Sequence, residues 1–431
     1  MTERVPRYTS YPTAPHFHEG VGAQQYEEWL STLGAEHTLS LYFHIPYCKQ
    51  LCWFCGCHTK VVNRYDPVEK YLALLGQEIS LLAKQLPNSP VTHVHFGGGS
   101  PTIVSAKDFI SFMDSIKRHF TISDKAEIAV EIDPRTVDAT KIAAYAATGV
   151  TRTSLGVQDF TEQVQEAINR IQPYEMVENV IRMLREQGID ALNVDLIYGL
   201  PHQTLETTRQ TIEQTLTLEP DRISLFGYAH VPWMKKHQQL VPEEALPKSS
   251  LRLEMFEEAS EMLAKAEYVA IGLDHFAKPD DPLTRAMYND ELHRNFQGYT
   301  TDMADALLGL GVSSISSLPQ GYVQNMASNI DYAKAIRAGV LPVSRGIALS
   351  QKDMERRDII MSLMCRLQAS VPGERYVPEL QQLEPYARKG DIAYDGSVLT
   401  IAPQAQNRLR LIASVFDSYL PATNHRYSQA V

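Results

Sequence analysis

Four of the chain's five cysteines, Cys48, Cys52, Cys55 and Cys57, crowd into the stretch HIPYCKQLCWFCGCHT, residues 44–59. A disulfide framework spreads its cysteines to staple distant loops, so this bunching points to metal or redox chemistry. A structural zinc site takes four ligands in a closed tetrahedron, usually as two pairs separated by a longer loop. Near neighbours such as Cys55 and Cys57 reach one ion together with difficulty. Three thiolates spaced CxxxCxxC suit three irons of a cubane cluster and leave the fourth iron open to a ligand, whereas an electron-transfer cluster has four thiolates. The spacing favours the open cluster; a zinc-bearing interaction protein is the alternative. The fifth cysteine, Cys365, lies in the apolar run DIIMSLMCRL and reads as a core thiol.

Further polar residues recur at the ends of short β-branched or aromatic runs. The strand candidates are 39–45, 91–96, 127–132, 152–157, 192–199 and 222–229, each followed by a segment of helical periodicity. Six such repeats predict a parallel sheet with right-handed crossovers. The cysteine loop follows the first run and GGGSPT (97–102) the second. Glu131 ends the third, Gln158 ends the fourth, Asp195 lies in the fifth, and Tyr228 and Ala229 end the sixth. Sites in parallel α/β folds gather at the carboxyl ends of strands. A contribution from nearly every strand fits a barrel mouth. The fold class is therefore α/β, a partial (β/α)6 barrel with flanking strands and a small, mainly helical C-terminal domain with a β-hairpin. The expected division is an arm over 1–37, the core over 38–270, flanking loops and strands over 271–345, and the C-terminal domain over 346–431. That last domain pairs helices with a hairpin turning at Asp395-Gly396, as a winged helix does, and closes with a helix over 405–420.

The glycines of GGGSPT allow close approach of backbone to a ligand, because no Cβ intervenes. The stretch matches neither a dinucleotide fingerprint nor a phosphate-binding loop. The net charge of -11 argues against nucleic-acid binding. No apolar run reaches about 18 residues, so no membrane span is expected. The opening residues carry no signal-like stretch, so the chain is expected in the cytoplasm. Nothing suggests a large apolar interface, so a monomer is expected.

CxxxCxxC after an aromatic-rich strand resembles the radical S-adenosylmethionine (SAM) enzymes. YFHIPYCKQLCWFCGC resembles, within them, the family of oxygen-independent coproporphyrinogen III oxidases (dehydrogenases) of haem biosynthesis. PRYTSYPT, GGGSPT, EIDPR, LGVQDF, NVDLIYGLP, YAH, DHFA, LHRNFQGYTT, LGLGVSSIS and RGIALS follow in that family's order. The resemblance implies a [4Fe-4S] cluster on Cys48, Cys52 and Cys55, with SAM on the open iron. One electron from the reduced cluster cleaves SAM, and the 5′-deoxyadenosyl radical abstracts hydrogen from coproporphyrinogen III. A reductant such as flavodoxin or ferredoxin is implied.

The resemblance also carries residue roles. Tyr42 lies near the methionine carboxylate and Phe54 against the adenine. Gly98, Gly99 and Ser100 lie near the methionine amino group, where the family most often has threonine in place of Ser100. Glu131 suits a ribose or amino contact, and Ile315 an apolar one. Two SAM molecules are implied, with Gln158, Arg170, Asp195 and Ala229, joined by Gly99 and Ser100, at the second. Cys57 matches a cysteine that matters for activity without being a ligand. Arg7 and Arg294 are candidates for the substrate's carboxylates, because guanidinium binds carboxylate in a fork. His44 and His58, flanking the cluster, read as packing or hydrogen-bonding residues. The chain opens only a few residues before PRYTSYPT, so closure over substrate is expected from elsewhere, such as the C-terminal domain. The alternative within the same fold is a haem chaperone or a haem-directed methyltransferase; Cys57 argues against the chaperone.

Overall fold

The computed structural model describes residues 5–420. Six parallel strands run in sequence order: β1 (Leu39–Ile45), β2 (Pro90–Gly98), β3 (Thr121–Ile132), β4 (Arg152–Gln158), β5 (Ala191–Tyr198) and β6 (Arg222–Gly227). Helices return the chain between them, as the alternating periodicities require. The two faces of each strand differ sharply. In β1, Leu39, Leu41, Phe43 and Ile45 are buried in the main core under the helices. Ser40, Tyr42 and His44 alternate with them and face inward. The same alternation puts His93 and His95, Glu127 and Glu131, Ser154, Asn193, Asp195 and Ser224 on the inner wall. The barrel interior is therefore polar, with its apolar side outside against the helices.

The stretch expected as flanking loops and strands completing the core extends the same sheet at both edges. β7 (Val269–Ile271) and β8 (His275–Ala277) continue from β6, with β8 antiparallel to it. β9 (Ala306–Leu310) pairs parallel with β1, and β10 (Ile315–Leu318), β11 (Gly321–Asn325) and β12 (Val343–Ala348) continue antiparallel. The result is a twelve-stranded sheet in the order β12-β11-β10-β9-β1-β2-β3-β4-β5-β6-β8-β7. These strands are three to six residues long, too short for periodicity to distinguish them from loops. A hairpin, His293–Asn295 with Gly298–Thr300, brings Asn295, Gln297 and Thr300 against Tyr42, His93 and His95 inside the barrel.

The C-terminal unit has its own core around Ile360, Leu363, Leu399 and Phe416. Two helices, Gln351–Arg366 and Val377–Arg388, accompany a three-stranded sheet whose hairpin turns at the expected Asp395-Gly396. The expected closing helix is broken into a 3-10 turn, Pro403–Arg408, and a short helix, Leu409–Ser414. Pro403 favours a helical start, but Arg408 to Leu409 changes pitch there. The N-terminal arm docks on this unit. Tyr8 and Tyr11 are buried in its core, and the Tyr8 hydroxyl donates to Asp417 at 3.0 Å.

Candidate active site

The cysteine loop leaves β1 and is fixed on both sides. Lys60 N–H donates to the Pro46 carbonyl at 2.7 Å and Val62 N–H to the Cys48 carbonyl at 3.0 Å. On the other side, Trp53 N–H donates to the Ile168 carbonyl at 2.9 Å, and Asn169 Nδ2 to the Leu51 carbonyl at 2.8 Å. Trp53 and Phe54 pack against Val164, Ile168, Leu200, Tyr228 and Val241. A third brace comes from the segment after β6. Gln238 Nε2 donates to the Phe54 carbonyl at 2.8 Å, His237 Nε2 meets the Cys55 carbonyl at 2.7 Å, and Lys235 Nζ donates to the Cys57 carbonyl at 3.0 Å.

The loop closes one side of a cleft of about 770 Å3, open mouth included, at the carboxyl ends of β1 to β5. Cys48, Cys52, Cys55 and Cys57 line it with Phe54, Gly98, Gly99, Ser100, Glu131, Gln158, Arg170 and Asp195. All four of these cysteines are free thiols.

Glycine is required at two points of the wall. A Cβ on Gly97 would meet the Glu131 carboxylate at 2.5 Å, and one on Gly99 would meet the Tyr47 backbone at 2.9 Å. The Gly98 N–H donates to Glu131 Oε2 at 3.2 Å, and His95 Nε2 bonds its Oε1 at 3.1 Å. Burial alone would raise Glu131, but His95 and the Gly98 N–H hold it below the ordinary value, so it stays an acceptor. Asp195 accepts from Ser154 Oγ at 2.9 Å and Asn193 Nδ2 at 2.8 Å. Burial raises its pKa, and Glu131 adds to that. Gln158 holds φ at 72°, a left-handed conformation that a non-glycine residue adopts at a cost, at an irregularity in the β4–β5 register.

Two guanidiniums converge on Cys52. Arg135 Nη2 lies 3.3 Å and Arg170 Nη1 3.4 Å from its sulfur. Arg135 also holds Asp133 in a fork, at 2.9 and 2.7 Å, while Arg170 Nη1 is 3.5 Å from the same carboxylate. Burial would raise Asp133, but Arg170 and then Arg135 keep it low. Arg135 Nη1 and Arg170 Nε are buried donors with no hydrogen-bond partner. Burial pushes the Cys48 thiol up to about 11, against the Thr59 hydroxyl 3.0 Å away. Cys57 lowers Cys55 to about 6 through its thiol and, at 3.4 Å, its N–H; Cys57 itself is driven up by that contact.

Three thiols, two uncompensated donors and a glycine-cleared wall fit a thiolate-held cluster with a carboxylate-bearing ligand beside it. Cys48, Cys52 and Cys55 would hold the cluster, and Arg135 and Arg170 would offset its negative charge. Among the described residues, no His, Cys, Asp or Glu group is gathered tightly enough for a single metal ion. A cubane bound through one thiolate per iron spans more widely than one ion.

Three predicted residues lie off the cleft wall. Tyr42 stands beneath it, with its hydroxyl 3.1 Å from His44 Nδ1 and its ring 5.7 Å from His95. Ala229 sits beyond β6, its carbonyl 3.3 Å from the Gln238 amide that also holds Phe54. Ile315 starts β10 and packs against the cluster of Phe17, Tyr322 and Ile347. His44 spans Tyr42 and the His58 carbonyl, 2.9 Å from its Nε2, as a hydrogen-bonding residue. Sequence reasoning did not single out Asp133, Arg135, Thr59 or Lys235–Gln238. EIDPR contains the first two, and a charged pair just past a strand end was an available signal.

Residues 42–215 match the Radical SAM superfamily. The chain is 45% identical to the oxygen-independent coproporphyrinogen III oxidase of Bradyrhizobium diazoefficiens, over 100% of this chain and 98% of the relative. It is 41% identical to that of Paracoccus denitrificans, over 98% and 96%. The solved coproporphyrinogen III oxidase (HemN) from Escherichia coli, described as a radical SAM enzyme, superposes with a TM-score of 0.92 at 36% identity, covering 97% of this chain and 100% of that one. A braced three-cysteine loop at a barrel mouth, and likeness along the whole length, identify the chain as a member of the oxygen-independent coproporphyrinogen III oxidase family of radical SAM enzymes.

Proposed function

We propose that this chain carries out the oxygen-independent oxidative decarboxylation of coproporphyrinogen III to protoporphyrinogen IX in haem biosynthesis. The observation that carries the reading is the cleft itself: Cys48, Cys52 and Cys55 on one wall, with two guanidiniums against Cys52, in a chain alike to named oxidases end to end. When bound, the cluster and SAM supply a 5′-deoxyadenosyl radical that removes hydrogen from a substrate propionate side chain. The residues' own work is placement and exclusion. Gly97 and Gly99 let the ligand approach the backbone. Glu131, ionised and held by His95, accepts hydrogen bonds from a ribose or amino group. Trp53 and Phe54 cover the cluster side with apolar surface and keep water from it. Cys57, exposed beside Cys55, serves activity without ligating iron.

Two SAM molecules lie side by side. Support comes from polar groups along the cleft wall: Gly98 and Glu131 for the first, and Gln158, Arg170 and Asp195, with Gly99 and Ser100, for the second, to which Ala229 is also assigned. A flavodoxin or ferredoxin supplies the electron. The protein is read as a cytoplasmic monomer; among the described residues no helix is long and apolar enough to cross a membrane.

The test is an anaerobic assay of the reconstituted enzyme with SAM, reductant, a cell-extract acceptor and coproporphyrinogen III, read as protoporphyrin fluorescence after oxidation. Product formation is expected. 5′-Deoxyadenosine without porphyrin product, or turnover of haem instead, would overturn the assignment.

A further inference from the structure

Beyond the cysteine cleft, four arginines converge at the end of β6. Arg7 Nη2 donates to the Gly227 carbonyl at 2.8 Å, and Arg252 Nη2 to the Tyr228 carbonyl at 2.8 Å. Arg294 Nη2 lies 3.4 Å from the Arg7 carbonyl, and Arg410 Nε donates to the Pro6 carbonyl at 3.1 Å. They come from four places: the N-terminal arm, the helix after β6, the barrel-filling hairpin and the C-terminal unit. They lie near enough for their charges to act on one another, Arg7 on both Arg252 and Arg410, and Arg294 on Arg410.

The facing carboxylate is Asp274. Its Oδ1 is 3.8 Å from Arg294 Nη1 and is already bonded by His275 at 2.7 Å. Arg7, Arg294 and Arg410 thus act on one carboxylate, and Arg252 lies beside Arg7. The Arg294 side chain is 3% exposed and lies over the Tyr299 ring at 4.4 Å, yet its Nε and Nη1, like Nε of Arg252, have no hydrogen-bond partner. Burying like charges with idle donors is costly unless an anion completes the site. The site adjoins the mouth, because Gly227 and Tyr228 lead directly into Ala229, which Gln238 ties to Phe54 in the cysteine loop.

We infer that Arg7, Arg252, Arg294 and Arg410 form a carboxylate-anchoring site that holds the propionate groups of the substrate not undergoing reaction. The inference rests on the functional reading above. A tetrapyrrole with four propionates has two left over when two react. Guanidinium forks are the fitting partners for those two. With its fixed groups held there, the ring turns its reacting propionates toward the cysteine cleft. The arm and the C-terminal unit each supply one arginine, so both take part in closing over the substrate.

The test is an anaerobic titration of the cluster-loaded, full-length protein with coproporphyrin III, the oxidised ring bearing the same four carboxylates, and with its tetramethyl ester. The wild type should bind the acid at least about tenfold more tightly than the ester. Arg294→Gln and Arg252→Gln should each weaken acid binding by about tenfold, with ester binding, cluster absorbance and SAM affinity unmoved. In turnover, the loss should fall on KM more than on kcat. Should Arg294→Gln fail to fold, Arg7→Gln, on a half-buried side chain, carries the same test. Equal affinity for acid and ester, or an unmoved KM in the variants while the wild type converts coproporphyrinogen III, would overturn the anchoring site alone. A wild type that leaves coproporphyrinogen III unchanged would instead defeat the functional reading.

Discussion

The two ends of the barrel use the same residue types to opposite ends. At the amino end of the strands, Arg152 pairs with Glu127 at 2.9 Å, Arg222 with Asp281 at 2.8 Å, and Arg152 Nη1 lies 3.8 Å from Asp281. Two cations meet two anions, so the charge is balanced there, with Arg152 Nη1 and Arg222 Nη2 left without a hydrogen-bond partner. At the carboxyl end, Arg135 and Arg170 share the carboxylate Asp133, and one nitrogen of each also lies against the Cys52 sulfur, while Arg170 Nη2 donates to the Gly156 carbonyl. Buried arginine does not by itself mark a site; what surrounds it does. The base is a closed set of ion pairs. The carboxyl end sets its guanidiniums against a thiol, in a cleft that also holds Glu131 and Asp195, and it is where glycines clear the wall and Gln158 holds a strained backbone.

That contrast can be broken at either end. The largest effect is expected in the cysteine loop. Cys52→Ser should lose the brown cluster absorbance and lower turnover by about a thousandfold or more. Cys57→Ser should keep the absorbance and lose turnover. Retention of full colour by Cys52→Ser would show the ligand assignment to be wrong.

At the base, Asp281→Asn removes one anion from two buried arginines and should destabilise the fold by about 3–5 kcal/mol. Chemical denaturation measures this, and SAM affinity of the folded protein should not change. A stability loss below about 1 kcal/mol would mean the base is not a closed network.

At the mouth, Arg135→Gln takes positive charge from beside Cys52. It should lower the cluster's reduction potential by roughly tens of millivolts, read by anaerobic titration under electron paramagnetic resonance, with only a small stability change. A base-like collapse in stability with an unchanged potential would erase the difference between the two ends.

The smallest effect is expected from Gln238→Ala, which loosens one brace of the loop. It should cost about tenfold in kcat/KM while cluster content stays full. Loss of the cluster itself would make Gln238 part of the cluster's fold rather than of its positioning.

The six parallel strands were legible because each carries a long β-branched or aromatic run ending in a polar or glycine signal. The cysteine spacing was legible as chemistry because nothing else needs three thiols so placed. The outer strands were not, since β7, β8 and β10 hold three or four residues each and gain their identity only from pairing with neighbours. The brace at Lys235–Gln238 lies in a polar loop without periodicity, and its meaning depends on carbonyls some 180 residues away in sequence. Ile315, placed by likeness alone, starts a strand off the cleft wall. Arg7 and Arg294 were singled out in the sequence for the substrate's carboxylates, whereas Arg252 and Arg410, which lie in helices and come beside them only in the fold, were not.

The central claim is that this cleft directs a radical at a propionate side chain. The most direct measurement uses coproporphyrinogen III carrying deuterium at the propionate β-carbons, in anaerobic turnover, with mass analysis of the 5′-deoxyadenosine formed. Deuterium in that product, matched by protoporphyrin formation, is the result predicted. 5′-Deoxyadenosine free of deuterium while protoporphyrin accumulates would contradict the account.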